Sequence, residues 1–284
     1  MSNSTSLSPS SYHHLRIGKA FGMTDVGLVR TSNEDNFLID QQLGLVMITD
    51  GMGGHDAGEV ASKEVLLAVR DFIQKIHPED QAGNTSLFTH SSGPDACFYD
   101  PDATYSDSIV PAIKTLSDAV EFANTQIYTQ NLANQHDEGR GMGSTLTGFW
   151  QCQKDGSMVV FHVGDSRLYR FRAGELSLLT RDHTLYQQAL DEGATDNLPP
   201  RNMLLQAMGP YPTVKPEIKL HPLHAGDRYL LCTDGLHGSV SDRMIAEVMG
   251  SSNVTNLAQA CDKLISLAKE YGSRDNITVV MLAC

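Results

Sequence analysis

Leu45-Val46-Met47-Ile48-Thr49-Asp50-Gly51 is the stretch on which the fold turns. An uncharged run rich in apolar and β-branched side chains leads straight into Asp-Gly. A short apolar run that stops at a turn dipeptide reads as a buried strand closed by a tight turn. The pattern recurs downstream. Met158–Val163 ends in Gly164-Asp165, and Arg228–Thr233 ends in Asp234-Gly235. A last strand, Ile277–Ala283, starts just after Asp275. If it runs antiparallel beside the end of a neighbour, Asp275 reaches the same sheet edge as the other aspartates.

Carboxylates gathered at one edge repel one another unless they are protonated or metal-bound. Hard divalent cations such as magnesium and manganese prefer such oxygen ligands. Glycine after Asp50 lets a backbone carbonyl approach an ion, because no side chain intervenes. Asp-Gly after a strand is also an ordinary turn. Strand endings alone therefore leave both readings open.

Outward from the quoted run, Asp56 is placed to cap a helix, with Glu59 three residues later. Val65, Ala68, Val69, Phe72, Ile73 and Ile76 keep one apolar stripe along it. Residues 77–106 are rich in Gly, Pro, Ser, Asp and Asn and read as a surface insertion or loop. A second helix is expected from about Ser108 to Asn134 and a third over Asn256–Tyr271. Arg167–Arg172 reads as a strand, and residues 183–215 as mixed helix and loop. No repeat at a period of about 20–50 residues appears. Strands around long helices suggest one layered α/β domain over residues 17–284, preceded by a flexible tail, residues 1–16.

Of the 284 residues, 40% are apolar and 19% charged, as in ordinary globular proteins. The net charge of −13 makes nucleic acid and anionic membrane surfaces poor partners. An acidic chain that handles phosphate needs local positive charge, from metal or arginine. No uninterrupted apolar stretch reaches about 18 residues, so no membrane span is expected. The first 16 residues hold no apolar signal core. The five cysteines, Cys97, Cys152, Cys232, Cys261 and Cys284, fit no disulfide or zinc pattern. A reduced, cytoplasmic setting follows, with Cys232 a buried thiol.

Six motifs then occur in order along the chain. Thr24-Asp25-Val26-Gly27-Leu28-Val29-Arg30 leads to Asn33-Glu34-Asp35-Asn36-Phe37. Thr49-Asp50-Gly51-Met52-Gly53-Gly54-His55 and Gly141-Met142-Gly143-Ser144-Thr145 follow. Then come His162-Val163-Gly164-Asp165-Ser166-Arg167, Thr233-Asp234-Gly235-Leu236 and Ser273-Arg274-Asp275-Asn276-Ile277-Thr278. Through them the chain resembles the metal-dependent type 2C serine/threonine protein phosphatases, above all their compact bacterial members.

The resemblance implies a four-layer sandwich, two central antiparallel sheets flanked by helices, with a small flap at 183–215. It implies two to three Mn2+ or Mg2+ ions. Asp50 would bridge two of them, the Gly51 carbonyl would bind one, and Asp234 and Asp275 would complete the other's shell. Asp165, with Asp234, would hold a weaker third ion. Glu34 would orient metal-bound water, and Asp35 would support that shell. Two ions about 3.5–4 Å apart can acidify a water and clamp a phosphoryl group for in-line attack. No protein nucleophile or phosphoenzyme is then needed. The implied substrates are phosphorylated proteins, opposite a Ser/Thr kinase pathway.

Arg30 matches the family's phosphate-binding arginine, whose guanidinium takes two phosphate oxygens at once. The plainer alternative is a surface arginine paired to Glu34. Animal members carry a histidine two positions after the bridging aspartate. Here Met52 stands there, and His55 is the nearest histidine, either a general acid or a residue that orients the following helix. His162 reads as a core histidine, and the role of His237 is open. The stretch between Gly193 and Arg201 is shorter than in many bacterial members, which leaves flap-borne specificity undetermined. A phosphatase with an aspartyl nucleophile needs a second aspartate two residues on, where this chain has Met52 and Leu236. A silent phosphoprotein-binding module would be expected to lose metal-site aspartates, and all are present.

Overall fold

The structure, a computed structural model, describes residues 7–53, 57–76, 109–151 and 157–284. Strands β1 (Tyr12–Leu15), β2 (Gly18–Asp25), β3 (Asn36–Asp40), β4 (Leu45–Thr49) and the short β5 (Gly51–Met52) come first. The long helices α1 (Ala57–Ile76) and α2 (Ile109–Ala133) follow. Next are β6 (Gly143–Ser144), β7 (Leu146–Gln151), β8 (Ser157–Val163), β9 (Arg167–Arg172) and β10 (Glu175–Leu178). The remainder is α3 (Leu185–Asp191), β11 (Glu217–Pro222), β12 (Arg228–Cys232), α4 (Asp234–His237), α5 (Asp242–Ser251), α6 (Leu257–Glu270) and β13 (Ile277–Ala283).

Among the described residues the strands form two antiparallel sheets, ordered β1-β2-β13-β12-β9-β10 and β11-β8-β7-β4-β3, with β5 and β6 paired beside them. The expected two-sheet sandwich is present. Alternate residues of each central strand go to opposite layers. In β4, Leu45 and Met47 pack with Val65, Val69 and Ile73 of α1 and with Leu116 and Ile127 of α2. Val46 and Ile48 point the other way, into an apolar layer shared with Val280 and Leu282 of β13. Ile277, Val279 and Met281 of β13 pack instead on Leu264, Ile265 and Ala268 of α6. Both faces of β4 are therefore dry, which is why its sequence is apolar throughout rather than alternating.

The register fixes where the aspartates emerge. Cys232, the end of β12, lies opposite Val279, and Ile277, the start of β13, lies opposite Asp25. Asp234 and Asp275 thus leave one sheet at the same edge. In the other sheet Thr49 faces Asn36, and Val163 faces Leu146. This brings the Glu34-Asp35 loop together with the Asp50 turn, and the Asp165 turn to the end of β7.

Several expectations need correction. Residues 7–16 are not a free tail. The Leu7 N–H donates to Asn36 Oδ1 at 2.9 Å, and the Ile39 N–H donates to Ser8 Oγ at 2.9 Å. Tyr12–Leu15 pair with β2. This is an edge strand with every second residue exposed, so its sequence carries little apolar signal. β11 was not anticipated for the same reason: Glu217-Ile218-Lys219-Leu220-His221-Pro222 alternates on an edge and ends in proline. Helix α5 was also not anticipated, although Ser241 caps it by accepting from the Met244 N–H at 3.4 Å. The Asp56 cap and the 77–106 insertion lie outside the described residues. Among the described residues no helix is long and apolar enough to cross a membrane.

The two sheets touch through side chains such as Phe149 of β7, whose ring lies 6.4 Å from that of Tyr229 on β12. Phe149→Ala should destabilise the fold by about 3–5 kcal/mol in urea unfolding. A loss well under 1 kcal/mol would show that the sheets do not depend on this contact.

Candidate metal centre

Asp50, Asp165, Asp234 and Asp275 line one cavity of about 270 Å³, together with Arg30 and Glu34. Each arrives on a turn held by directed hydrogen bonds. The Asp50 N–H donates to Thr145 Oγ1 at 2.9 Å. Its carbonyl accepts from the Thr145 N–H at 2.9 Å and from Ser144 Oγ at 3.0 Å. A Cβ at Gly51 would stand 2.1 Å from the Gly58 carbonyl oxygen and 2.7 Å from that of Glu34, so only glycine fits. Gly235 is just as confined, because a Cβ there would lie 1.9 Å from the Asn276 carbonyl oxygen.

Asn276 ties three points of the loop between β2 and β3 to the start of β13. Its Oδ1 accepts from the Glu34 N–H at 2.9 Å, and its Nδ2 donates to the carbonyls of Val26 at 3.0 Å and Ser32 at 2.9 Å. The Arg30 loop and Glu34 are thereby fixed to the start of β13. Arg30 Nη2 donates to Asp275 Oδ2 at 2.7 Å. The alternative partner weighed from sequence, Glu34, is not the one it takes. Asp35 lies beneath the cavity rather than on its wall, with Thr233 Oγ1 donating to its Oδ2 at 2.8 Å. Asp165 sits where the chain passes from β8 to β9, and its carbonyl accepts from His237 Nε2 at 3.0 Å.

The electrostatics show the strain of this gathering. Burial first, and then the charges of Asp35, Asp234, Asp165 and Asp275, push the Asp50 carboxyl well above the usual range. Burial and then Asp234 push Asp165 up to about 8. Burial raises Asp35 to about 8, against hydrogen bonds from Thr278 and Thr233 that favour its charged form. Asp234 rises to about 6, through burial and then Asp275. The buried histidines go the other way. His162 is lowered to about 4 and His237 to about 3, both chiefly by burial. As expected, His162 is a satisfied interior histidine. Its Nδ1 lies 2.8 Å from the Thr147 hydroxyl, and its Nε2 donates to the Arg181 carbonyl at 3.1 Å.

These residues fit divalent cations. Asp50 and Asp234 line the same cavity, the charge of Asp234 pushes the Asp50 carboxyl up, and such a pair calls for a proton or a cation. Asp234 Oδ1 is buried with no hydrogen-bond partner. The available donors are oxygens, which suit hard ions. Among the described residues no three His, Cys, Asp or Glu side chains converge tightly enough to enclose an ion by themselves.

The structure brings Arg30, Glu34, Asp50, Gly51, Asp165, Asp234 and Asp275 to one cavity, with Asp35 just below it. His55 lies outside the described residues. Sequence reasoning gave no role to Thr145 or Asn276, which aim the carboxylates, nor to Asn202 and Leu204, which wall the cavity from the segment after α3. Thr145 and Asn276 belong to the quoted motifs. Asn202 and Leu204 carried no signal.

The profile of the family described as "Protein phosphatase 2C" matches residues 29–277. The chain is 34% identical over 263 residues to the serine/threonine protein phosphatase PstP of Mycobacterium tuberculosis, covering 91% of this chain and 43% of that protein. It therefore spans less than half the length of that relative. It is 31% identical to the serine/threonine phosphatase stp of Listeria monocytogenes over 268 residues, 91% of this chain and 93% of the other. A crystal structure of the PstP catalytic domain in complex with two manganese ions superposes with a TM-score of 0.70 at 33% identity, covering 92% of this chain and 96% of that one. The ordered motifs, the two-sheet sandwich and these matches agree, and the chain belongs to the protein phosphatase 2C family.

Proposed function

We propose that this chain hydrolyses phosphoserine and phosphothreonine in proteins, with divalent cations held at the Asp50 cavity. The observation that carries the reading is the convergence of four aspartates and Arg30 on one cavity in a family of protein phosphatases. Asp50, the Gly51 carbonyl, Asp234 and Asp275 would hold two ions. Asp165 with Asp234 would hold a third, weaker one. Glu34 and the buried Asp35 support the surrounding water and turns. The ion pair reported for PstP supports a count of at least two, manganese or magnesium. Bound ions would supply an acidified water and positive charge against the phosphoryl oxygens.

The chain's own residues do the rest. Arg30 reaches the cavity mouth half-exposed, and an exposed ion pair such as Arg30–Asp275 contributes only about 0–1 kcal/mol. Its guanidinium can therefore turn to phosphate at little cost. Neither Asp50 nor Asp234 has the second aspartate that an aspartyl-phosphate route uses, so the phosphoryl group passes to water without a phosphoenzyme. The catalytic unit includes β1 together with residues 17–284, with 183–215 as its flap. The free thiols of Cys232, Cys261 and Cys284 fit a reducing, cytoplasmic setting.

Phosphate release from a phosphothreonine peptide should need Mn2+ or Mg2+ and should vanish in excess chelator and in Asp50→Ala. Full activity in chelator would refute the reading. Arg30→Ala should lower kcat/KM about 10- to 100-fold, as expected for a lost charged hydrogen bond, while calorimetry finds metal stoichiometry unchanged.

Metal-free protein should also show a pH signature. Carboxyls raised to about 8 at Asp35 and Asp165 and to about 6 at Asp234 hold protons in the folded state that the unfolded chain has already released. The folded state therefore binds more protons between about pH 4 and 8, and stability falls as pH rises through that window. Thermal unfolding in chelator should give a Tm that drops from pH 5 to pH 8, and added Mn2+ should raise Tm more at the upper end. A flat profile would mean that the carboxylates are not crowded in solution.

A further inference from the structure

His237 is not needed by any role assigned above, yet it joins the two turns that carry Asp165 and Asp234. It lies at the end of the four-residue α4 that Asp234 opens. Its Nε2 is 3.0 Å from the Asp165 carbonyl oxygen. A carbonyl only accepts, so Nε2 carries the proton and donates. Asp165 lies where β8 passes into β9, and Asp234 follows β12, with Arg167 of β9 paired to Cys232 of β12. That ladder sets the two turns side by side but stops two residues short of each aspartate. A directed hydrogen bond between the turns carries the hold past the last strand pair. The other side of the Asp165 turn is held as well. The Gly164 N–H donates to His183 Nδ1 at 3.2 Å, and the His183 N–H donates to the Gly164 carbonyl at 2.7 Å.

We infer that His237 is a positioning residue whose Nε2–H fixes the Asp165 turn against the Asp234 turn, so that the two carboxylates can share a divalent ion. The inference rests on the metal-centre reading given above. Residues that orient ligands from behind typically alter metal affinity about 10- to 100-fold when changed. His237 acts chiefly on this one ion, because its side-chain bond is to the Asp165 backbone and Asp165 takes no part in holding the two ions at Asp50.

The test is calorimetric titration of Mn2+ into the full chain at a single pH. Wild type should show tight binding that disappears in Asp50→Ala and a weaker step that disappears in Asp165→Asn. His237→Ala and His237→Asn, which lack a donor at the Nε2 position, should weaken the weaker step about 10-fold or more and leave the tight binding unchanged. His237→Gln, whose amide nitrogen reaches that position, should stay close to wild type. If the alanine variant fails to fold, the contrast between Gln and Asn decides. Equal behaviour of Gln and Asn, or a weaker step untouched in folded His237→Ala, overturns the inference and leaves the metal centre standing. Absence of any Asp50-dependent Mn2+ binding in wild type overturns both.

Discussion

Mutual repulsion among carboxylates is the constraint around which this molecule is arranged. Two unit charges about 4 Å apart at a partly buried site cost about 4 kcal/mol. Asp50, Asp165 and Asp234 each feel at least one of the others, on top of the cost of burial. Such a group stays together only if the framework around it is stiffer than the repulsion. The stiffness comes from specific places. Thr145 grips both the N–H and the carbonyl of Asp50, Asn276 ties the β2–β3 loop to β13 at three points, and Thr233 reaches back to Asp35. Gly51 and Gly235 let backbones approach so closely that any side chain would push the turns apart.

Two stacked sheets suit this task. Their strands end at a common edge, so turns from both can face one cavity while the apolar layer between them stays dry. Helices α1 and α2 cover one outer face and α5 and α6 the other, which removes water from the strands that lead into the turns. Carboxyls crowded in this way suit cations, which can replace the protons that burial and repulsion otherwise hold on them. In the function proposed, those cations and Arg30 would reverse the local sign and admit phosphate. The overall charge of −13 does not oppose this, because the field at the cavity is set by the nearest groups.

The wall nearest the segment after α3 is built by residues outside the ordered motifs. Asn202 and Leu204 close the metal cavity there, and Thr184 bridges Leu204 across the base of that segment. His183 joins its first residue to the Asp165 turn, so a movement of the segment is felt at Gly164. The relatives at about 30% identity share the family's fold while leaving room for differences in this wall.

The sequence alone determined the centre of this protein. Apolar runs ending at Asp50, Asp165 and Asp234, and a strand starting after Asp275, are local facts, because a strand buried on both faces must be apolar throughout and must end in a polar turn. The ordered motifs supplied the family and hence the layers. Edge elements stayed hidden: β1 exposes alternate residues and β11 buries none of its residues fully, so both differ little from loops in composition. Only the tertiary structure decided that Arg30 pairs with Asp275, that Asp35 lies under the cavity, and that His237 joins Asp165 to the Asp234 turn. Each of these joins residues distant in the chain, and no pattern of neighbours along a sequence records which side chains strand register and sheet packing will bring within 3 Å of each other.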